Sequence, residues 1–185
     1  MPTTALSGRL DEVVTVFDGH LHVHYGQAYV FSGTADDTSD MEACFRGQSN
    51  GLLGAAQQGM LFLMTGLHTG LVRFRVEVRE NARPQDPSWE ECVEASFVPA
   101  DRDVRLISWD GDIVCQLPLE PTPYRARYEA RGMDAGHAAD TVLEVEDPVD
   151  EYRLSFWPSP PERDLVVRET SAIARYWHSW ARELR

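Results

Sequence analysis

Three short strings in this 185-residue chain carry side chains of the types that do chemistry. In Asp18-Gly19-His20-Leu21-His22-Val23-His24, three imidazoles fall at alternate positions. On a strand, side chains two apart share a face about 7 Å apart, so a neighbouring pair can share one metal ion, whereas the outer two start about 13 Å apart. Gly47-Gln48-Ser49-Asn50-Gly51 has the spacing of a strained strand-to-helix turn that offers a nucleophilic serine to a histidine backed by a carboxylate. His137 and His178 follow downstream as candidate bases. Asp134 and Asp140 flank His137, a set that suits a cation or a general base. Hard cations need a tightly spaced run of oxygen ligands, and this segment has none, so 132–140 reads as a solvated loop. The glycines of 47–59 match neither the dinucleotide nor the P-loop spacing.

The elements that must position these residues are mostly strands. Residues 71–80 put Val72, Phe74, Val76 and Val78 on one face and Arg73, Arg75, Glu77 and Arg79 on the other. Residues 124–131 repeat the pattern, with Tyr124, Ala126, Tyr128 and Ala130 against Arg125, Arg127, Glu129 and Arg131, and Tyr152, Leu154 and Phe156 alternate with Arg153 and Ser155. Shorter strands are predicted at 13–17, 20–25, 28–31, 60–64, 92–98, 104–109, 113–117, 141–145 and 164–168, with a weaker candidate at 41–46. Asp110-Gly111 between two apolar runs signals a hairpin, and 65–70, with Gly66 and Gly70, reads as a second hairpin loop. Pro84 and Pro87 keep 81–88 out of any central strand, and the prolines of 157–161 make a stiff connector. Residues 52–58 suit one or two helical turns.

Closely spaced strands with few helices between them predict a mainly β fold, an antiparallel β-sandwich or barrel-like domain. The expectation is a single domain over 1–185, with a β core at about 12–168 and a C-terminal amphipathic α-helix at 170–183. Thr170 or Ser171 caps that helix, and Ile173, Tyr176, Trp177, Trp180 and Leu184 form its stripe. This architecture lacks the alternating helices that metal-dependent barrels and α/β-hydrolases require. The histidines therefore read as the wet face of a strand and the serine as part of a glycine-rich surface loop. No catalytic residue, metal ligand or cofactor is assigned, and a serine hydrolase using Gly47–Gly51 stands as an alternative.

Composition narrows the partner. An apolar content of 43% with 25% charged residues belongs to a folded chain rather than a disordered one. The net charge of −13 repels nucleic acid and anionic membrane and attracts a basic protein. All 17 basic residues are arginine. Acidic residues concentrate at 36–42, 90–94 and 144–151. Trp89, Glu90, Glu91 and Glu94, with Asp147, Asp150 and Glu151, are the expected contact residues. Three distant cysteines, no leader-like pattern in Met1–Gly8 and no long apolar run point to reduced thiols in a cytoplasm. The function expected is non-catalytic binding, as an inhibitor or immunity-like partner of a basic protein such as a nuclease or toxin. A homo-oligomeric assembly module, using the aromatic helix or a sheet edge, is the other reading.

Two resemblances bear on these expectations. The histidine string is similar to the opening strand of metal-dependent amidohydrolases, which imply a barrel this chain does not suit. His22-Val23-His24-Tyr25-Gly26-Gln27-Ala28-Tyr29-Val30-Phe31, Leu117-Pro118-Leu119 with Tyr124 after it, and Tyr152-Arg153-Leu154-Ser155-Phe156-Trp157 resemble strands of the competence-associated inhibitors of the bacterial DNA-entry nuclease. That resemblance covers about a third of the chain and implies a small, β-rich cytosolic protein that neutralises a nuclease by binding it. The stretch 47–59 and the aromatic terminal helix depart from the family pattern, and no inhibitory residue carries over.

Overall fold

The computed structural model describes residues 12–33 and 40–184. Met1–Gly8, read above for a leader, and most of the acidic stretch 36–42 lie outside the described residues. In chain order the first elements are β1 (Val13–Val23), β2 (Gln27–Ser32), α1 (Met41–Phe45), β3 (Leu53–Gly54), β4 (Met60–Met64), β5 (Thr69–Arg79) and β6 (Glu91–Phe97). They are followed by β7 (Val104–Ser108), β8 (Ile113–Leu117), β9 (Tyr124–Arg131), α2 (Met133–Ala139), β10 (Thr141–Val142), β11 (Glu151–Pro158), β12 (Leu165–Arg168) and α3 (Ala172–Glu183).

The strands form two sheets. One has the order β1-β5-β11-β9-β6-β12, with β10 also on β5, and the other has the order β3-β4-β2-β7-β8. Most pairs are antiparallel, but β10 and β11 both run parallel to β5, so the larger sheet is mixed. Among the described residues neither sheet closes into a barrel. The alternation read from sequence supplies the core. Val72, Phe74, Val76, Tyr128, Leu154 and Phe156 of the larger sheet, with Val30, Leu61, Leu63 and Leu106 of the smaller, are fully buried in one cluster. The Asp110-Gly111 hairpin joins β7 to β8 as expected.

Several local expectations are corrected. Residues 65–70 are not a hairpin loop, because β4 and β5 belong to different sheets. The segment crosses between them, pinned by the Gly66 amide donating to the Tyr152 hydroxyl at 2.7 Å and the Leu67 amide donating to Asp150 at 3.0 Å. Residues 41–46 form a helix, α1, started by the Asp40 carboxylate accepting from the Glu42 amide. Residues 52–58 make no helical turn but supply β3, and 132–140 folds as α2 rather than a loop. Of 141–145 only Thr141 and Val142 pair.

The outer face of the larger sheet departs most from expectation. Glu77, Arg125, Arg127, Glu129 and Arg153 are buried although their strands read as half wet. The register sets Arg153 opposite Glu129 and Arg127 opposite Glu94, and the proline-bearing segment 81–88 and Trp89 fold back over the row. Arg83 pairs with Glu129 at 2.6 Å, and Arg127 donates to the Arg83 carbonyl at 2.9 Å. Trp89 lies under Arg153 and Arg131 at 4.6 and 5.2 Å. A buried charge survives only when paired, and each guanidinium of this row has a carboxylate partner, although among the described residues Arg153 Nη2 and Arg83 Nε lack a hydrogen bond.

Candidate binding surface

The glycine-flanked serine is part of a clasp. Asp164 Oδ2 accepts from the Ser49 amide at 2.8 Å, the Ser49 hydroxyl at 2.9 Å, the Asn50 amide at 2.7 Å and the Asn50 side-chain amide at 3.1 Å. Asn50 Oδ1 in turn accepts from the amides of Leu52 and Leu53. His178 does reach this loop, but at Gly51, whose amide donates to its Nδ1 at 2.9 Å. A Cβ at residue 51 would stand 2.0 Å from the Trp177 carbonyl oxygen, so only glycine lets α3 lie this close. Burial pushes the His178 pKa down to about 4, which leaves the imidazole neutral. The loop follows a short helix and leads into β3, the reverse of the strand-to-helix turn a nucleophilic serine occupies.

His20 and His22 are exposed on β1, while His24 lies past its end with Nδ1 2.8 Å from the Thr69 hydroxyl. Among the described residues no three His, Cys, Asp or Glu side chains converge to hold a metal ion. Asp134, His137 and Asp140 go separate ways. Asp134 accepts from the amides of Ala172 and Ile173 at 3.0 and 2.9 Å, at the start of α3, and the Asp140 carbonyl accepts from the amides of His68 and Thr69. Those two bonds on Asp134 hold its carboxyl below the usual aspartate range.

The expected contact residues divide by burial. Trp89 is only 5% exposed beneath its arginines, and Glu94 pairs with Arg125 and Arg127 at 3.1 and 2.8 Å. Glu91 is fully buried and accepts from the Ser171 amide at 2.6 Å and the Thr170 amide at 3.0 Å, and desolvation raises its pKa. Asp150 is buried too, accepting from the Tyr152 hydroxyl at 2.6 Å; burial raises its pKa, and among the described residues its Oδ1 has no hydrogen-bond partner. These four are withdrawn from direct contact because the fold spends their polar atoms internally, at α3, at the 65–70 crossing and in the charged row. Glu90 and Asp147 are exposed, whereas Glu151 is half-buried and its carboxylate pairs with Arg131 and, at 3.9 Å, with Arg73. They meet with Asp150 around one depression of about 440 Å³, which Arg73 and Arg131 also line.

Sequence reasoning missed a second concavity. A cleft of about 500 Å³ is lined by Tyr25, His68, Asp134, His137, Tyr176 and Trp177, among others. Gly132, the residue before α2, lines the first depression, whereas Asp134 and His137 of α2 line this cleft. The aromatic stripe of α3 signalled one part of it. Tyr25, read from sequence as part of a strand at 20–25, instead sits in the turn with Gly26 before β2.

No family model and no curated protein matches this chain. Among solved structures the fold is similar to ComJ from Bacillus subtilis, described as the inhibitor of the DNA degrading activity of NucA. That likeness has 17% identity and a TM-score of 0.53 and covers 80% of this chain and 99% of ComJ. Crocagin biosynthetic gene J shows 14% identity and a TM-score of 0.48 over 82% of this chain and all of that one. No described helix is long and apolar enough to cross a membrane. At 17% identity the likeness to ComJ is one of fold alone: the chain is a mainly β protein whose fold resembles that of ComJ.

Proposed function

We propose that this protein is an acidic antagonist that binds a basic protein, of the nuclease or toxin class, in a cytoplasm. The observation that carries the reading is the exposure of Glu90 and Asp147, from segments far apart in sequence, at one depression on a chain of net charge −13. A field of that sign accelerates encounter with a cationic surface and falls off with salt. The fold shared with ComJ supports a nuclease as the partner. An acidic surface on this chain would compete for the basic cleft with which such a nuclease holds DNA.

The test is binding to NucA and to any basic nuclease or toxin encoded beside this chain, by surface plasmon resonance across a salt series. The expected result is an on-rate that drops steeply with salt and that Glu90→Gln with Asp147→Asn lowers about tenfold. Absence of binding to all of these proteins, or a salt-independent on-rate, would sink the proposal.

A further inference from the structure

The chain reverses between β1 and β2 through a two-residue turn, Tyr25-Gly26, with the Gln27 amide donating to the His24 carbonyl at 3.2 Å. Both central residues have positive φ, 54° and 64°, the pattern of a type I′ turn. Asn, Asp and Gly suit the first of these positions, whereas a bulky aromatic ring there is strained. Burial would offset that strain, yet Tyr25 is 53% exposed. Its ring touches His24 and His68 edge-on and Trp109 at a tilt, with centroids 4.3, 5.1 and 5.3 Å away. Trp109 is itself 40% exposed.

What the strained turn achieves is placement. It brings Tyr25 into the lining of the 500 Å³ cleft together with Tyr176 and Trp177 of α3. Asp134 stands in the same lining and is ionised at neutral pH, because the two amides of α3 stabilise its charge. None of the lining residues is an arginine, although the chain has 17. Aromatic faces beside a carboxylate attract a cation, and a flat guanidinium stacks on such faces better than an ammonium does. The molecule already uses this pairing internally: Arg127 lies over Trp157 at 5.1 Å, as Arg131 and Arg153 lie over Trp89.

We propose that the cleft is an aromatic cage for an arginine side chain presented by the basic partner, and that Tyr25 is kept in its strained turn to form it. The identity of the partner rests on the antagonist reading; the cage does not. N-acetyl-arginine amide is titrated into the full chain and followed by NMR at the aromatic rings, with the uncharged N-acetyl-citrulline amide as control. The expected result is saturable shifts at Tyr25, Tyr176 and Trp177, at least about tenfold weaker with citrulline. Tyr25→Asn should weaken arginine binding about tenfold while its Tm stays level or rises, since asparagine suits the turn. No binding, equal binding of the two compounds, binding that survives Tyr25→Asn, or a Tm well below that of the parent overturns the cage. If arginine binds but no basic nuclease or toxin does, the cage stands and the antagonist reading falls. If such a protein binds as tightly to Tyr25→Asn as to the parent chain, the reverse holds.

Discussion

Acid should loosen α3 from the loop beneath it, and His178 sets the size of the effect. Its imidazole is fully buried, Nδ1 accepts from the Gly51 amide and Nε2 has no partner among the described residues, so the fold holds it neutral. In the unfolded chain a histidine takes up its proton near pH 6.5, but in this fold it does so only near 4. The stability that depends on a neutral ring is therefore complete above pH 6.5 and is lost as pH falls from there to about 4. Each pH unit of depression is worth about 1.4 kcal/mol, so the whole window removes roughly 3 kcal/mol. Glu91, Glu129 and Asp150 act oppositely, because burial raises their pKa values and the fold gains stability as they protonate. Their contribution is common to parent and variant and cancels in the difference. His178→Asn keeps an acceptor for the Gly51 amide and removes the titration. Urea unfolding followed by tryptophan fluorescence, from about pH 7 to 4, should show the parent losing roughly 3 kcal/mol relative to the variant. Parallel profiles for the two proteins would refute the argument.

Three further outcomes follow from the same geometry. Ser49→Ala should cost only about 1 kcal/mol in urea unfolding, since three donors remain on Asp164. A fluorophosphonate label on Ser49 of the parent protein would contradict the clasp. Trp89→Ala should destabilise by about 3 kcal/mol, because it removes the buried ring against which the guanidiniums of Arg153 and Arg131 pack; a change under about 1 kcal/mol would show that this packing contributes little. Burial pushes the thiols of Cys44 and Cys115 up to about 11 and that of Cys92 to about 12. All three should stay unreactive to a disulfide reagent in the native protein and react together in denaturant. Rapid native reaction at any of them would mean that the packing around it opens readily.

The sheets were legible because their signal is local. Val72, Phe74, Val76 and Val78 alternate with charges whatever lies elsewhere, and period two alone assigns them to an inner face. Ser171 could be recognised as a cap for the same reason, its hydroxyl oxygen accepting from the amide of Ala174, three residues on. The elements 41–46 and 52–58 were misread because they are short, so propensity weighs little against the packing of Phe45 and Leu53 in the core.

The sequence by itself determined the fold class, the face of each long strand, the sign of the net charge and the acidic segments 36–42, 90–94 and 144–151. Only the tertiary structure decided which acids face solvent. Glu91 and Glu90 are chain neighbours, yet one is buried against the amides of Thr170 and Ser171 and the other borders the depression, a difference set by segments about eighty residues away. The arginine faces of β9 and β11 read as wet until 81–89 folds over them. Period two says which side chains share a face, but whether that face meets water depends on what long-range closure places above it.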